Sequence, residues 1–276
     1  MVDISILVEN TSVSKDLISK HGLSVLIKTE ASCILLDTGP DKSFILNAGR
    51  LNADLDSVQH LVLSHAHIDH TGGLDAFDKI NKTAGIYLAG NPRERYYFRI
   101  KKYIYLPVGI RASRSVLNRI STVNENTKIT ADAWIIKNTS TGGFRPSLNK
   151  YLYMKNEGNK LNDDFAHEST LVIIDGKELV LFNSCSHSGV TNIIESVIKA
   201  FPGFRVRSFV GGMHLCNPGG SVYEDAASIN EFAAQLSEYD IKYYTGHCTG
   251  EVPFGILKKR LGNRLEKIST GMKLSV

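Results

Sequence analysis

The chain has 276 residues, and its hydrophobic fraction of 42% and charged fraction of 22% are ordinary for a globular protein with a sizeable core. A net charge of +4 is too small to indicate nucleic-acid binding by itself. No apolar stretch approaches the roughly 20 residues that a membrane helix needs, so we expect no such helix.

Short β-rich segments alternate with segments of helical spacing in the first and last parts of the chain. The predicted strands are residues 3–8, 24–28, 33–37, 59–63, 171–174, 179–182, 205–210, 242–244 and 265–269. The predicted helices are residues 41–50, 192–200, 223–239 and 255–261. This interleaving predicts an α/β (α+β) protein in which two sheets pack together with helices outside.

The middle of the chain, roughly residues 91–168, differs in composition. Residues 91–120 hold eight basic residues against one acid, with five aromatic residues interleaved. We interpret 91–168 as an insertion or lid that covers or flanks a site. Arg111, Arg114 and His167 are candidate substrate-binding residues, because arginine binds anionic groups with paired hydrogen bonds. A solvated basic face and a surface loop are the alternatives.

Metal-binding residue types are densest directly after the fourth predicted strand, where His65, His67, Asp69 and His70 fall within six residues. In an extended loop, His65 and His67 project to the same side and can reach one ion. Asp69 and His70 lie at the turn into a helix near 71–73 and can face a second ion. Imidazole and carboxylate are usual zinc ligands, so the cluster predicts one or two zinc-class ions.

Three further histidines, His187, His214 and His247, each follow a predicted strand in a loop of small residues. Strand ends are where α/β architectures place their sites, and small residues let the backbone approach a metal or a substrate closely. We therefore expect these histidines near the same centre.

The segment Ser-His-Ala-His-Ile-Asp-His-Thr-Gly-Gly (64–73) resembles the signature of the metallo-β-lactamase superfamily, and Asp37-Thr38-Gly39 resembles its second landmark. The resemblance spans nearly the whole chain and implies a single domain with a four-layer αββα sandwich. The implied ligands are His65, His67 and His187 for the first ion and Asp69, His70 and His247 for the second. Asp37 would orient a ligand, and a turn-forming role is its alternative.

The loop after the predicted strand 205–210 departs from the family pattern, which places there an aspartate that bridges both ions. Here Gly211-Gly212-Met213-His214 follows the strand and no acid is present. A neutral imidazole in place of a carboxylate should weaken binding of the second ion. His214 is thus a candidate catalytic residue beside Asp69, acting as a terminal ligand or a substrate contact. A structural loop histidine is the alternative.

The loops around His187, His214 and His247 look like the branch of the superfamily that contains 7,8-dihydropterin-6-methyl-4-(β-D-ribofuranosyl)aminobenzene 5'-phosphate synthase. We predict a metal-dependent hydrolase that acts on a small phosphorylated or anionic substrate, with a transferase of the synthase type as the alternative. A nuclease and a non-catalytic metal-binding protein are further alternatives. Zinc is the expected cofactor, and the ligands also suit iron or manganese.

The N-terminus and the cysteines predict a cytoplasmic protein. The first residues lack a basic start followed by an apolar run, so no signal peptide is expected. Cys33, Cys185, Cys216 and Cys248 are scattered without a CxxC pair and are interpreted as reduced, small buried residues rather than metal ligands. We expect a small-molecule partner, no membrane and no nucleic acid, and leave a homo-oligomer open.

Overall fold

Two seven-stranded sheets lie at the centre of the computed structural model, which describes residues 1–156 and 158–276. The strands are β1 (Asp3–Val8), β2 (Ser24–Lys28), β3 (Cys33–Leu36), β4 (His60–Leu63), β5 (Gly85–Ala89), β6 (Tyr96–Lys101), β7 (Ile104–Pro107), β8 (Ile120–Val123), β9 (Thr127–Lys128), β10 (Ala133–Lys137), β11 (Leu152–Asn156), β12 (Asn159–Asn162), β13 (Ser169–Asp175), β14 (Glu178–Phe182), β15 (Arg205–Val210), β16 (Lys242–Thr245), β17 (Leu265–Lys267) and β18 (Lys273–Ser275). The α-helices are α1 (Ser43–Leu51), α2 (Ile68–Thr71), α3 (Leu74–Ile80), α4 (Arg114–Arg119), α5 (Val190–Ala200), α6 (Ala226–Ser237) and α7 (Glu251–Leu261).

Each large sheet has an antiparallel half and a parallel half. The first sheet has the order β18-β1-β2-β3-β4-β5-β8, and its strands are parallel from β3 to β8. The second has the order β17-β16-β15-β14-β13-β10-β9, and its strands are parallel from β14 to β17. The loops that leave the parallel strands at their carboxyl ends carry the predicted metal ligands.

The two sheets pack face to face, with helices on both outer faces. Side chains from both sheets, among them Ile34, Val62, Leu171 and Val180, form one buried cluster between them. A second buried cluster joins α1 and α3 to the first sheet, and a third joins α5, α6 and α7 to the second. Helix, sheet, sheet and helix therefore form four layers, which confirms the predicted αββα class.

Local signals explain where several helices begin. Asp225 precedes α6 and its side chain accepts a hydrogen bond from the backbone N–H of Ser228, as an N-cap residue does. Pro253 lies in the first turn of α7, where the missing proline N–H costs no helical hydrogen bond. Because proline is tolerated in a first turn, α7 can begin at Glu251, earlier than the predicted start at residue 255.

The segment 91–168 contributes to three sheets. β6, β7, β11 and β12 form a separate four-stranded sheet, whereas β8 belongs to the first large sheet and β9 and β10 to the second. Outside the two large sheets, β6 pairs with β7 and β11 pairs with β12. Within the described residues, no helix is long and apolar enough to cross a membrane.

Candidate metal centre

Three buried histidines converge at the carboxyl ends of β4 and β14. The ring centroids of His65 and His67 are 4.7 Å apart, and each lies 5.1 Å from that of His187. The Nε2 atom of each ring is buried and has no hydrogen-bond partner. Buried polar atoms are normally paired, so the unpaired Nε2 atoms of His65 and His187, on rings 5.1 Å apart, indicate a site built for a cation. Nε2 of His67 lies 3.6 Å from Oδ2 of the buried Asp163, and its ring adjoins the other two.

A second group adjoins the first and consists of Asp69, His70 and His247. Nε2 of His70 lies 3.1 Å from Nε2 of His247, and each of these atoms lies 3.5 Å from Oδ2 of Asp69. Asp69 keeps a side-chain exposure of 23%, whereas both rings are buried. The structure thus brings together all six residues that the resemblance implies as ligands.

Asp37 and Ser64 hold two of these rings from behind. Oδ2 of Asp37 lies 2.8 Å from Nδ1 of His70, and Asp37 also accepts hydrogen bonds from the backbone N–H and the hydroxyl of Ser64. The Ser64 hydroxyl lies 2.9 Å from Nδ1 of His65. Because Nδ1 is engaged on both rings, Nε2 is the nitrogen that points into the centre.

Two asparagines orient the ligand histidines that follow strands of the second sheet. Nδ1 of His187 lies 3.0 Å from Oδ1 of Asn149, and Nδ1 of His247 lies 3.1 Å from Oδ1 of Asn10. Sequence analysis did not single out either asparagine. Neither stands near its histidine in the chain, so no local pattern identifies them.

Buried glutamates fix the two loops that carry these rings. Glu168 accepts the backbone N–H of His187 at 2.7 Å, and Glu9 accepts that of His247 at 2.7 Å. Both side chains are buried, at 1% exposure. A carboxylate bonded to a backbone N–H gives a strong charge-assisted contact, so each loop is held rigidly.

His167, predicted as a substrate contact, lies behind the histidine loop instead. Its Nδ1 accepts the backbone N–H of Ala66 at 3.0 Å, and its Nε2 lies 3.1 Å from Oδ2 of Asp163. The ring is 1% exposed, and both nitrogens are engaged. His167 therefore positions the 65–67 loop and has no nitrogen free for a substrate.

Arg111 and Arg114 are exposed and are not among the described residues that line the cavity at the centre. Arg111 instead donates to the carbonyl of Pro107. The structure does not bring these two side chains to the centre, because they precede and begin the surface helix α4.

The electrostatics of the two groups differ. Burial, together with neighbouring imidazoles, holds the pKa of His65 and that of His187 well below the usual range, which keeps these rings neutral and able to ligate. For His70, burial would lower the pKa, but Asp69 and Asp37 outweigh it and raise the pKa to about 10. Burial would raise the pKa of Asp69, yet His70 and the nearby hydrogen bonds hold it well below the usual range.

Three residues outside the two predicted ligand sets also lie at the centre. Sγ of Cys185 is 3.3 Å from Nε2 of His70, and Nε2 of His21 is 3.4 Å from Oδ2 of Asp69. The ring of His214 lies 4.1 Å from that of His187, and its buried Nδ1 has no hydrogen-bond partner. The proximity of Cys185 to His187 in the chain was a usable signal, whereas His21 had none.

The loops around the centre hold unusual backbone conformations. Positive φ angles occur at Asp37, Phe165, Ser186, His214 and His247, and their values lie between 48° and 58°. Such angles cost free energy in residues other than glycine and persist where the surrounding structure imposes them. Their concentration here marks the centre as the place where this fold holds strain.

A cavity of about 200 Å³ opens above the two groups. One wall is apolar and includes Phe98, Leu106 and Val108 from the β6–β7 hairpin and the residue that follows it, with Leu152 from β11. A second, more polar cavity of about 240 Å³ adjoins it, and His21, Cys216, Pro218 and His247 line both. The centre therefore faces a cleft with an apolar side and a polar side.

Comparison with known proteins agrees with this geometry. Residues 20–122 match the model of the metallo-beta-lactamase superfamily. A 7,8-dihydropterin-6-methyl-4-(beta-D-ribofuranosyl)-aminobenzene-5'-phosphate synthase from Methanocaldococcus jannaschii is 28% identical, and the match covers 92% of this chain and 89% of the synthase. An uncharacterized protein from the same organism is 25% identical, with 90% of each chain covered.

A solved structure described as a metal-dependent hydrolase of the beta-lactamase superfamily is similar over the whole fold. It superposes with a TM-score of 0.82 and 25% sequence identity, covering 100% of this chain and 99% of the other. The family model, the relatives and the αββα architecture agree with one another and with the histidine-rich centre at the strand ends. The chain is therefore similar to the metallo-β-lactamase superfamily, through residues 20–122 and through the fold it shares with this hydrolase structure.

Proposed function

We propose that this protein is a metal-dependent hydrolase whose two adjacent ligand groups hold two zinc-class ions. The observation that carries the proposal is the convergence of the His65, His67 and His187 rings, with centroids 4.7–5.1 Å apart, in which the buried Nε2 atoms of His65 and His187 have no partner. An apolar core would not leave two such nitrogens unpaired on neighbouring rings, because each loses its hydrogen bonds to water on burial.

The residues present fit such ions chemically. Imidazole nitrogen and carboxylate oxygen are the donors that zinc accepts, and iron and manganese accept the same donors. Such ions supply Lewis acidity, which polarises a carbonyl or phosphoryl group and makes water more acidic. His65, His67 and His187 would hold the first ion, and Asp69, His70 and His247 the second.

We assign His214 a role toward the substrate. It lines the cavity, its ring lies beside His187, and its Nδ1 has no partner in the protein. A nitrogen in this position can donate a proton to a leaving group or a hydrogen bond to a bound substrate. Asp69, which is partly exposed and lies between His21 and His247, orients these rings at the mouth of the cavity.

The cleft indicates the class of substrate. Its apolar wall suits a ring or an acyl chain, and a cavity of about 200 Å³ admits a small molecule. Among the described residues that line the two cavities, Lys267 is the cationic side chain, and Glu251 pairs with it. An anionic group on the substrate would therefore bind to the metal ions rather than to arginine side chains.

Hydrolysis can be tested with zinc-loaded and manganese-loaded protein on bis(4-nitrophenyl) phosphate, an acyl lactone and a thioester. We expect turnover of at least one compound that is lost when the ions are removed and returns when they are restored. His214→Asn should keep both ions and change kcat or KM. The absence of turnover on all three compounds, with both ions bound, would argue against a hydrolase.

A transferase of the synthase type is the second candidate, and the full-length similarity to the Methanocaldococcus jannaschii synthase favours it. The apolar wall that includes Phe98 and the adjoining polar cavity would suit a flat ring joined to a polar sugar phosphate. The test combines a ribofuranosylaminobenzene phosphate with a dihydropterin that carries a leaving group on its 6-methyl carbon. Formation of the joined product, detected by mass spectrometry, would favour the transferase over the hydrolase.

A further inference from the structure

We propose that the thiolate of Cys185 is a metal ligand, the fourth donor of the second ion, placed so that it also faces the first ligand group. This inference rests on the proposed two-ion centre and adds a sulfur donor to it. It concerns a residue that the sequence analysis interpreted as a small buried side chain rather than a metal ligand.

Four donor–donor distances at the second group are close to those around one tetrahedral ion. Sγ of Cys185 lies 3.3 Å from Nε2 of His70, which in turn lies 3.1 Å from Nε2 of His247. Oδ2 of Asp69 lies 3.5 Å from both nitrogens. Donors around a tetrahedral zinc ion, with bonds of about 2.0–2.3 Å, are separated by about 3.3–3.6 Å. Without the sulfur, the second group offers three donors.

Cys185 also faces the first group. Its sulfur and one ring nitrogen from each of His65 and His187 lie within 4.8 Å of one another. The same holds for Cys185 with His70 and His247, so one sulfur lies near both histidine groups. A thiolate carries the negative charge that two neighbouring cations require, whereas the imidazole of His214 carries none when it acts as a ligand.

The loop after β15 supports this placement, because it has no room for a carboxylate at Gly212. A Cβ atom on Gly212 would lie 2.5 Å from Sγ of Cys248 and 2.7 Å from the carbonyl oxygen of Ser184. The segment that carries Cys185 and the sulfur of Cys248 therefore occupy the space into which a side chain at 212 would extend.

Cys248 has a supporting position. Its sulfur lies 3.4 Å from Sγ of Cys185 and accepts the backbone N–H of His214 at 3.3 Å. It is thus the nearest alternative sulfur ligand, and an experiment has to separate the two cysteines. Cys33, which packs in the core beneath the first sheet, serves as a remote control.

The test uses the full chain, purified under reducing conditions and loaded with cobalt(II), whose thiolate charge-transfer absorption reports a sulfur ligand. We expect this absorption in the wild type, in Cys33→Ser and in Cys248→Ser, and its loss in Cys185→Ser. Cys185→Asp should also lose the absorption but keep both ions by elemental analysis, since a carboxylate replaces the thiolate. X-ray absorption of the zinc-loaded wild type should show a sulfur neighbour at about 2.3 Å.

Each outcome bears on one proposal. A wild type that binds ions without any sulfur signal overturns the sulfur ligand and leaves the two-ion enzyme standing. Absorption that survives in Cys185→Ser but disappears in Cys248→Ser also overturns it. A wild type that binds no ions overturns the proposed function itself. The X-ray absorption measurement on the zinc-loaded wild type needs no variant. It therefore shows whether sulfur binds the ion even if Cys185→Ser fails to fold.

Discussion

Oδ2 of Asp37 lies 2.8 Å from Nδ1 of His70, and both side chains are fully buried. The same carboxylate accepts two hydrogen bonds from Ser64, whose hydroxyl contacts Nδ1 of His65. One acid on the loop after β3 thus sets the orientation of one histidine from each ligand group. Its side chain is directed at these partners rather than at its own backbone turn, which favours the orienting role.

We expect Asp37→Asn to weaken binding of the second ion by about 10–100-fold, the usual effect of losing an outer hydrogen-bond partner. The asparagine amide cannot supply the charge that holds His70 with Nε2 toward the centre. Chelator competition on the purified variant measures the affinity. Asp16→Asn, on an exposed surface residue, is the matched control and should leave affinity unchanged. Equal affinities for the two variants would contradict the orienting role.

His67→Ala should lose the first ion and abolish turnover while retaining the second ion. The His67 ring lies 4.7 Å from that of His65 and 5.1 Å from that of His187, and none of the close contacts within the second group involves it. Metal content by elemental analysis is the measurement. His60→Ala removes a histidine whose buried Nδ1 also has no partner but which lies at the start of β4, and it should keep both ions. Full metal content in His67→Ala would refute the assignment.

The sequence was most informative where the relevant residues are neighbours in the chain. The 65–70 cluster and the small-residue loops at His187 and His247 depend on local spacing, and the structure brings them together. The alternating strand and helix signals were likewise local and predicted the four layers, because each signal depends only on hydrophobic periodicity. The short edge strand β18 was missed, since three residues carry too little pattern.

The outer partners of the ligands could not be predicted in the same way. Asn10 and Asn149 lie 237 and 38 residues from their histidines, and the glutamates that hold the loops lie 238 and 19 residues from the same histidines. Arg111 and Arg114 show the converse error: their charge suggested a substrate contact, but their side chains are exposed away from the cavity. Composition shows which residue types a segment contains but not where their side chains point, so it cannot show which of them reach a cavity.

His167→Ala should destabilise the protein by about 1–3 kcal/mol, the cost of leaving a buried donor without its partner. The backbone N–H of Ala66, between two ligand histidines, loses its acceptor in this variant. Urea unfolding followed by circular dichroism measures the change, and His60→Ala is again the control. A variant as stable as the wild type would show that the ring is dispensable for the loop.

Asp163→Asn should change the pH dependence of stability. Burial would raise the pKa of the Asp163 carboxyl, but His167 and His67 outweigh it and hold the pKa well below the usual range. Because the folded pKa is lower than the unfolded value of about 4, the stabilisation is present above pH of about 4 and is lost as the pH falls further. The difference in unfolding free energy between wild type and variant, measured in chelator, should therefore shrink on acidification. A difference that is constant with pH would contradict this.

The apolar wall should affect substrate affinity without affecting metal binding. Phe98 and Leu106 line the cavity from the hairpin of β6 and β7, whereas Tyr103 at the tip of the same hairpin is 80% exposed. We expect Phe98→Ala to raise KM for an aromatic substrate by about tenfold, equivalent to about 1.4 kcal/mol, because part of an aromatic contact is lost. The KM for an aliphatic substrate should rise less, and metal content should not change. Tyr103→Ala should behave as the wild type with both substrates, since its ring points away from the cleft. If Tyr103→Ala raised KM as much as Phe98→Ala, the hairpin would act through its general folding rather than through the wall it presents to the substrate.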